Sequence, residues 1–126
     1  MTKSQTTILV TDAGFAPEDW TGPILDLASD TDPATLDPGT PALIRIDFPS
    51  FADGRGFTLA RLLRAQGFRG RLRARGHVIA DQYAMARRAG FDEVEIDAAL
   101  AARQPEPDWQ ARADWRAHDY QARLRA

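Results

Sequence analysis

Residues 46–97 read IDFPSFADGRGFTLARLLRAQGFRGRLRARGHVIADQYAMARRAGFDEVEID, and this stretch decides the fold. The strand that opens it, residues 42–48 (ALIRIDF), has apolar residues that nearly run together, as in a strand covered on both faces. Pro49 ends it, because proline has no N–H to give to a ladder. After the loop SFADGRG, Thr58 is a candidate N-cap for a helix to about Gln66, with Leu59, Leu62 and Leu63 as its buried stripe and Gly67 at its end. Residues 71–75 (RLRAR) read as a second strand with Leu72 and Ala74 inward and the arginines outward. Gly76-His77 then starts a helix over 78–89, with Val78, Ile79, Gln82, Tyr83, Met85, Ala86 and Ala89 available for its inner face. Gly90 closes that helix, and 91–97 (FDEVEID) is a third strand with Phe91, Val94 and Ile96 as core residues. The joints QGFRG and AGFDE echo each other 23 residues apart. The pattern predicts a βαβαβ unit over 42–97 joined by right-handed crossovers.

Working outward, residues 6–11 (TTILVT) suit a first strand, and Asp12-Ala13-Gly14 a turn. Residues 17–20 read as a single helical turn and 24–28 as a short strand. Residues 29–41 form a Pro/Asp/Thr/Gly-rich connection with room for one helical turn. Beyond the core unit, an Ala-rich turn of helix runs into a Pro-bounded break, and 107–125 reads as a final helix. Its stripe of Trp109, Ala113, Ala117, Tyr120 and Leu124 would dock on the sheet, or else present a partner-binding face anchored by Trp115. The expected fold is α/β: one domain over 1–126, a small mostly parallel sheet built from βαβαβ units, and a C-terminal helix.

The chain has no cysteine, which removes disulfides, thiolate nucleophiles, Cys-held zinc and iron–sulfur ligation. Its net charge of −2 gives no case for nucleic acid or an anionic membrane as a partner. No apolar run approaches the roughly 20 residues of a membrane span, and MTKSQTTILVTDAG does not read as a secretory signal, so a cytoplasmic location is expected. Acids crowd the first forty residues and arginines the middle, where most read as solvated faces.

In parallel sheets, loops leaving the carboxyl ends of the strands gather along one edge, and ligands bind there. The 50–56 loop and Gly76-His77 would bring Asp53, Arg55, His77, Asp81 and Gln82 toward one another, with Arg61 and Arg64 further down the helix. The segment Asp53-Gly54-Arg55-Gly56 has two readings. In one, the glycines let backbone N–H groups approach an oxyanion and Arg55 supplies a fork. In the other, Asp-Gly makes a tight turn and Arg55 pairs with Asp53 or Asp81. His77 could act as a general acid or base with Asp81 beside it, or simply cap the helix. The only other histidine, His118, stands at no ligand spacing from it, so no metal site is expected.

Phe48-Pro49, Phe51, Asp53 to Thr58, Ala60-Arg61 and Leu63-Arg64 form an ordered set. It continues through Gly70, Leu72-Arg73-Ala74, Gly76, Val78, Asp81-Gln82, Arg88 and Gly90-Phe91-Asp92. Over these positions the chain resembles a proteobacterial family of unknown molecular function whose genes neighbour that of the sulfite reductase haemoprotein, and whose members are labelled oxidoreductases of sulfite reduction. His77 and Ala80 stand where relatives usually carry Asp and Arg. The resemblance implies a role in assimilatory sulfate reduction, near the step from sulfite to sulfide. A redox enzyme needs a cofactor to carry electrons, and the sequence shows no flavin, nicotinamide or haem-attachment motif. The expectation is therefore an accessory protein without a cofactor. It would bind sulfite reductase or a small oxyanion through Asp53, Gly54, Arg55, Gly56, Arg61, Arg64, Gly76, His77, Asp81 and Gln82. The alternatives are a small enzyme using Asp53, Arg55 and Asp81 around an anionic substrate, and a homo-oligomeric structural unit.

Overall fold

The computed structural model describes residues 7–36 and 41–115. Its frame is a six-stranded mixed sheet: β1 (Thr7–Thr11), β2 (Gly14–Ala16), β3 (Leu25–Leu27), β4 (Leu43–Phe48), β5 (Arg71–Gly76) and β6 (Glu93–Asp97). Across the sheet the order is β2-β1-β6-β5-β4-β3. Strands β3 to β6 pair in parallel, and β1 pairs antiparallel with both β6 and β2. The sheet is thus mixed where a mostly parallel one is expected. The physical reason is the two-residue turn at Asp12-Ala13, which folds 7–16 into a hairpin and sets Val10 against Val94 at the far edge of the parallel unit.

Helices α1 (Arg55–Ala65) and α2 (Tyr83–Ala89) cross from β4 to β5 and from β5 to β6. Because these strands are neighbours in sequence order, right-handed crossovers put both helices on one face. There Ile44, Ile46, Phe48, Leu72, Ala74, Val94 and Ile96 meet Phe57, Leu59, Leu63, Tyr83 and Ala86. Phe48, Phe57 and Phe91 form an edge-and-tilt aromatic cluster at 5.0–6.4 Å between centroids. Leu62 and Ile79, expected inside, are only half-buried, and Met85 is exposed. The expected helix over 78–89 opens instead with a 3-10 turn at Ala80–Gln82, and the Gln82 side chain accepts from Ile79 N at its start.

The other face corrects the sequence reading most. Period-2 alternation places Arg45, Asp47, Arg71, Arg73, Arg75, Glu93 and Glu95 there, outward as expected, yet Arg73 has no solvent exposure at all. Residues 17–22 cross this face as an irregular strap, not the expected helical turn. Glu18 accepts from Asp19 N and Trp20 N, and its carboxylate receives both terminal nitrogens of Arg73 at 2.7 and 2.9 Å. Glu93 takes Arg73 Nε at 2.6 Å and Glu95 takes Nη1 at 2.8 Å. Arg71 joins Glu93 and Asp19 and packs on the Trp20 ring, while Arg45 bridges Asp26 and Glu95. A buried charge is tolerated only when paired and hydrogen-bonded, and here each is. Asp12, Glu18, Asp19 and Asp26 are therefore counter-ions to the central arginines rather than a separate acidic surface.

Of the C-terminal helix expected over 107–125, the described residues contain only α4 (Glu106–Gln110), which follows α3 (Ala98–Arg103). Residues 116–125 of that expectation lie outside the described residues. Trp109 is fully buried against Tyr83 and donates to Gln104 O at 2.7 Å, docking α4 on the domain. Trp115 is half-buried, stacks on Arg87 and donates to Asp12 Oδ2. Among the described residues, no helix is long and apolar enough to cross a membrane.

Candidate functional site

The carboxyl ends of β4 and β5 carry the loops that the sequence singles out. After β4, Asp53 Oδ1 accepts from Arg55 N, so α1 starts at Arg55 with Gly54 at its cap, one turn before the expected Thr58. The Asp53 carboxylate also grips the Arg55 guanidinium at 2.9 and 2.7 Å and accepts from the buried Ser29 hydroxyl at 2.8 Å. The place where a free oxyanion would meet the helix N-terminus is taken by the chain's own carboxylate. Hydrogen bonds from the Arg55 side chain, the Arg55 backbone and Ser29 hold the Asp53 carboxyl far below the usual carboxylate range. Gly56 is buried against the Phe48 ring, leaving no room for a Cβ. Gly56→Ala should therefore cost about 1–3 kcal/mol by overpacking, read as a lowered Tm. An unchanged Tm would mean that Phe48 can move aside.

The second loop is tied to the first. Gln82 Nε2 donates to Phe51 O at 2.7 Å, and His77 N donates to Phe48 O at 2.9 Å. Gln82 thus clamps the turn that presents Phe51, whose side chain remains 58% exposed. The His77 side chain is exposed beside the same edge. Gly76, with φ +113°, brings the chain against Phe48 O.

Three expected site residues face elsewhere. Asp81 pairs with Arg112 at 2.7 Å and has no hydrogen bond with His77 or Arg55 among the described residues. Arg64 reaches the opposite edge of the sheet, where it donates to Gly90 O, Phe68 O and Gly70 O and pairs with Asp92 at 2.9 Å. Arg61 is exposed in the second turn of α1. The edge accordingly unites Asp53, Arg55, Gly56, Gly76, His77 and Gln82, while Asp81 and Arg64 stabilise other parts of the fold.

Sequence reasoning missed Ser29, whose contact with Asp53 spans 24 residues of chain and leaves no local trace. It also missed Arg75 and Asp47, although both stand at strand carboxyl ends, where the parallel-sheet rule directs attention. Among the described residues, no group of three His, Cys, Asp or Glu side chains could hold a metal ion.

Acid should loosen this architecture. Hydrogen bonds from Arg73, Arg71 and Arg45 hold Glu18, Asp19 and Asp26, respectively, below their ordinary values of 4.5, 3.8 and 3.8. For Asp12, partial burial pulls upward, but donation from Tyr83, Arg87 and Trp115 outweighs it. With folded values depressed, the unfolded chain binds more protons at low pH. The stabilisation is complete above the unfolded values and is lost as pH falls through the folded ones. Tm should hold above about pH 5 and fall progressively below about pH 4. An equal Tm at pH 3 and pH 6 would show that these pairs add nothing.

Residues 24–126 match a family model described as "Bacterial protein of unknown function (DUF934)", and the chain belongs to that family. No curated protein and no solved structure matches it.

Proposed function

We propose that this member of the family is a cytoplasmic accessory factor of assimilatory sulfite reduction, which docks on sulfite reductase or holds a small oxyanion at the carboxyl edge of its sheet. The pathway rests on the resemblance carried by the ordered residues from Phe48 to Asp92, of which Phe48 to Gly56, Gly76 and Gln82 build or border this edge. The docking mode is carried by one observation. Phe51 is a large aromatic side chain, 58% exposed, on a turn whose carbonyl is fixed by Gln82 from 31 residues away. An exposed aromatic on a pre-organised turn suits a partner's pocket, because little conformational entropy remains to be lost on binding. The exposed Arg55, aligned by Asp53, supplies a charged neighbour. Acid–base catalysis by His77 and Asp81 is less well supported, since Arg112 draws Asp81 away.

The test is sedimentation of the purified chain with the sulfite reductase haemoprotein, without added oxyanion. A stable complex is expected, weakened about 10- to 30-fold by Phe51→Ala, the scale of a ~2 kcal/mol anchor. Arg55→Ala should weaken it less. Absence of a complex with the unmodified chain would remove the docking mode.

A further inference from the structure

Beside the Asp53 loop, the same edge holds a cleft of about 260 Å³ between the ends of β4, β5 and β6 and the start of β1. Its charged lining is Asp47, Arg75, His77, Glu95, Asp97 and Arg103. The carboxylates are mostly committed. Glu95 accepts from Arg73 and Arg45, and Asp97 accepts from Leu100 N at the start of α3. Asp47 has one 3.2 Å contact with Arg75, and both side chains remain 41% exposed. The cationic side is largely unspent. Arg75 uses one nitrogen, and Arg103, in the last turn of α3, forms no ion pair among the described residues. The His77 ring is exposed at the rim.

We infer that this cleft, rather than the Asp53-Gly54-Arg55-Gly56 loop, is the chain's small-oxyanion site, with Arg103, Arg75 and His77 as donors. At the loop, an internal carboxylate already takes Arg55 N, Nε and Nη2. In the cleft, two guanidinium groups and an imidazole share the lining, and the guanidinium groups have N–H donors to spare. Forked guanidinium groups match the oxygens of sulfite, sulfate or phosphate, and the cleft has room for such an anion. Arg75 keeps Nη2 on Asp47 and offers its remaining N–H groups to the ligand as charge-assisted hydrogen bonds. The site lies where parallel strands end, the usual place for ligands in such sheets. This inference deepens the accessory reading and rests on it only for the choice of sulfite among the probes.

The test is calorimetric titration of the isolated full chain with sodium sulfite, sulfate and phosphate at constant ionic strength. Saturable 1:1 binding of at least one anion is expected, weakened tenfold or more by Arg103→Gln and by His77→Gln, and unchanged by Arg88→Gln at an exposed position of α2. Absence of saturable binding by all three anions, or binding indifferent to Arg103→Gln, overturns the site. Binding of phosphate alone keeps the site but takes away its support for the sulfur pathway. Because no reductase is present, the outcome is independent of the docking test.

Discussion

Arg73→Ala is expected to lower stability by about 3–5 kcal/mol, a Tm loss on the order of 10–20 °C. The substitution removes the single cation that Glu18, Glu93 and Glu95 share. Glu93 and Glu95 are each 4% exposed, so they cannot recover their hydration without the sheet face opening. Arg71 and Arg45 remain beside them, yet each already serves an outer carboxylate, Asp19 or Asp26. Burial alone would pull the Arg73 pKa down, but its hydrogen bonds to the three glutamates more than reverse this and keep the cation in place. Glu18→Gln should cost much less, about 1 kcal/mol or under, because this side chain is a third exposed and its replacement can still accept. Comparable losses in the two variants, measured by denaturant midpoint, would show that the buried ladder is not the dominant interaction on this face.

Gly76→Ala is expected to cost about 3 kcal/mol or more and to disturb the site as well as the fold. Gly76 ends β5 at φ +113°, a conformation that L side chains rarely adopt. A Cβ there would stand 2.7 Å from Phe48 O, a backbone atom that cannot swing away. That carbonyl also receives His77 N, so relief of the clash would shift the His77 loop away from the 50–56 turn. Gly54→Ala, three residues before Phe57, is the contrast. Its Cβ meets nothing closer than a Phe57 ring carbon at 4.0 Å, and its φ of −88° is ordinary. It should change Tm by no more than a degree or two. Equal effects at the two glycines would mean that the β4–β5 edge tolerates movement.

These two positions also show how far the sequence reaches. The strand–helix alternation from Leu43 to Asp97 is visible because apolar residues recur at period 2 in the strands and at i, i+3, i+4 in α1, so local pattern suffices. The direction of β1 is not visible. Its partner β6 lies at the other end of the chain, and nothing in TTILVT says whether it pairs parallel or antiparallel. The same distance hides the burial of Arg73. Alternation says only that it points away from Leu72 and Ala74; burial depends on Glu18, 55 residues earlier, reaching across the face. Local rules also read 17–20 as helix, but Glu18 folds back to its own backbone and to Arg73.

The candidate edge follows the same division. That the 50–56 and 76–82 segments share an edge follows from parallel-sheet geometry alone, and Gln82 joins them through Phe51. Which donors are spent and which remain free depends on contacts such as Ser29–Asp53 and Asp81–Arg112, where sequence spacing is uninformative. The sequence-level pairing of His77 with Asp81 gives way for that reason.

The proposed role in sulfite reduction is tested most directly by growth of a deletion strain with sulfate, sulfite, sulfide or cysteine as the only sulfur source. The expected result is failure on sulfate and sulfite, growth on sulfide and cysteine, and restoration by the intact gene but not by Phe51→Ala. Normal growth on all four sources would contradict the proposal, leaving an α/β domain with a buried arginine ladder and an arginine-bearing cleft at its carboxyl edge.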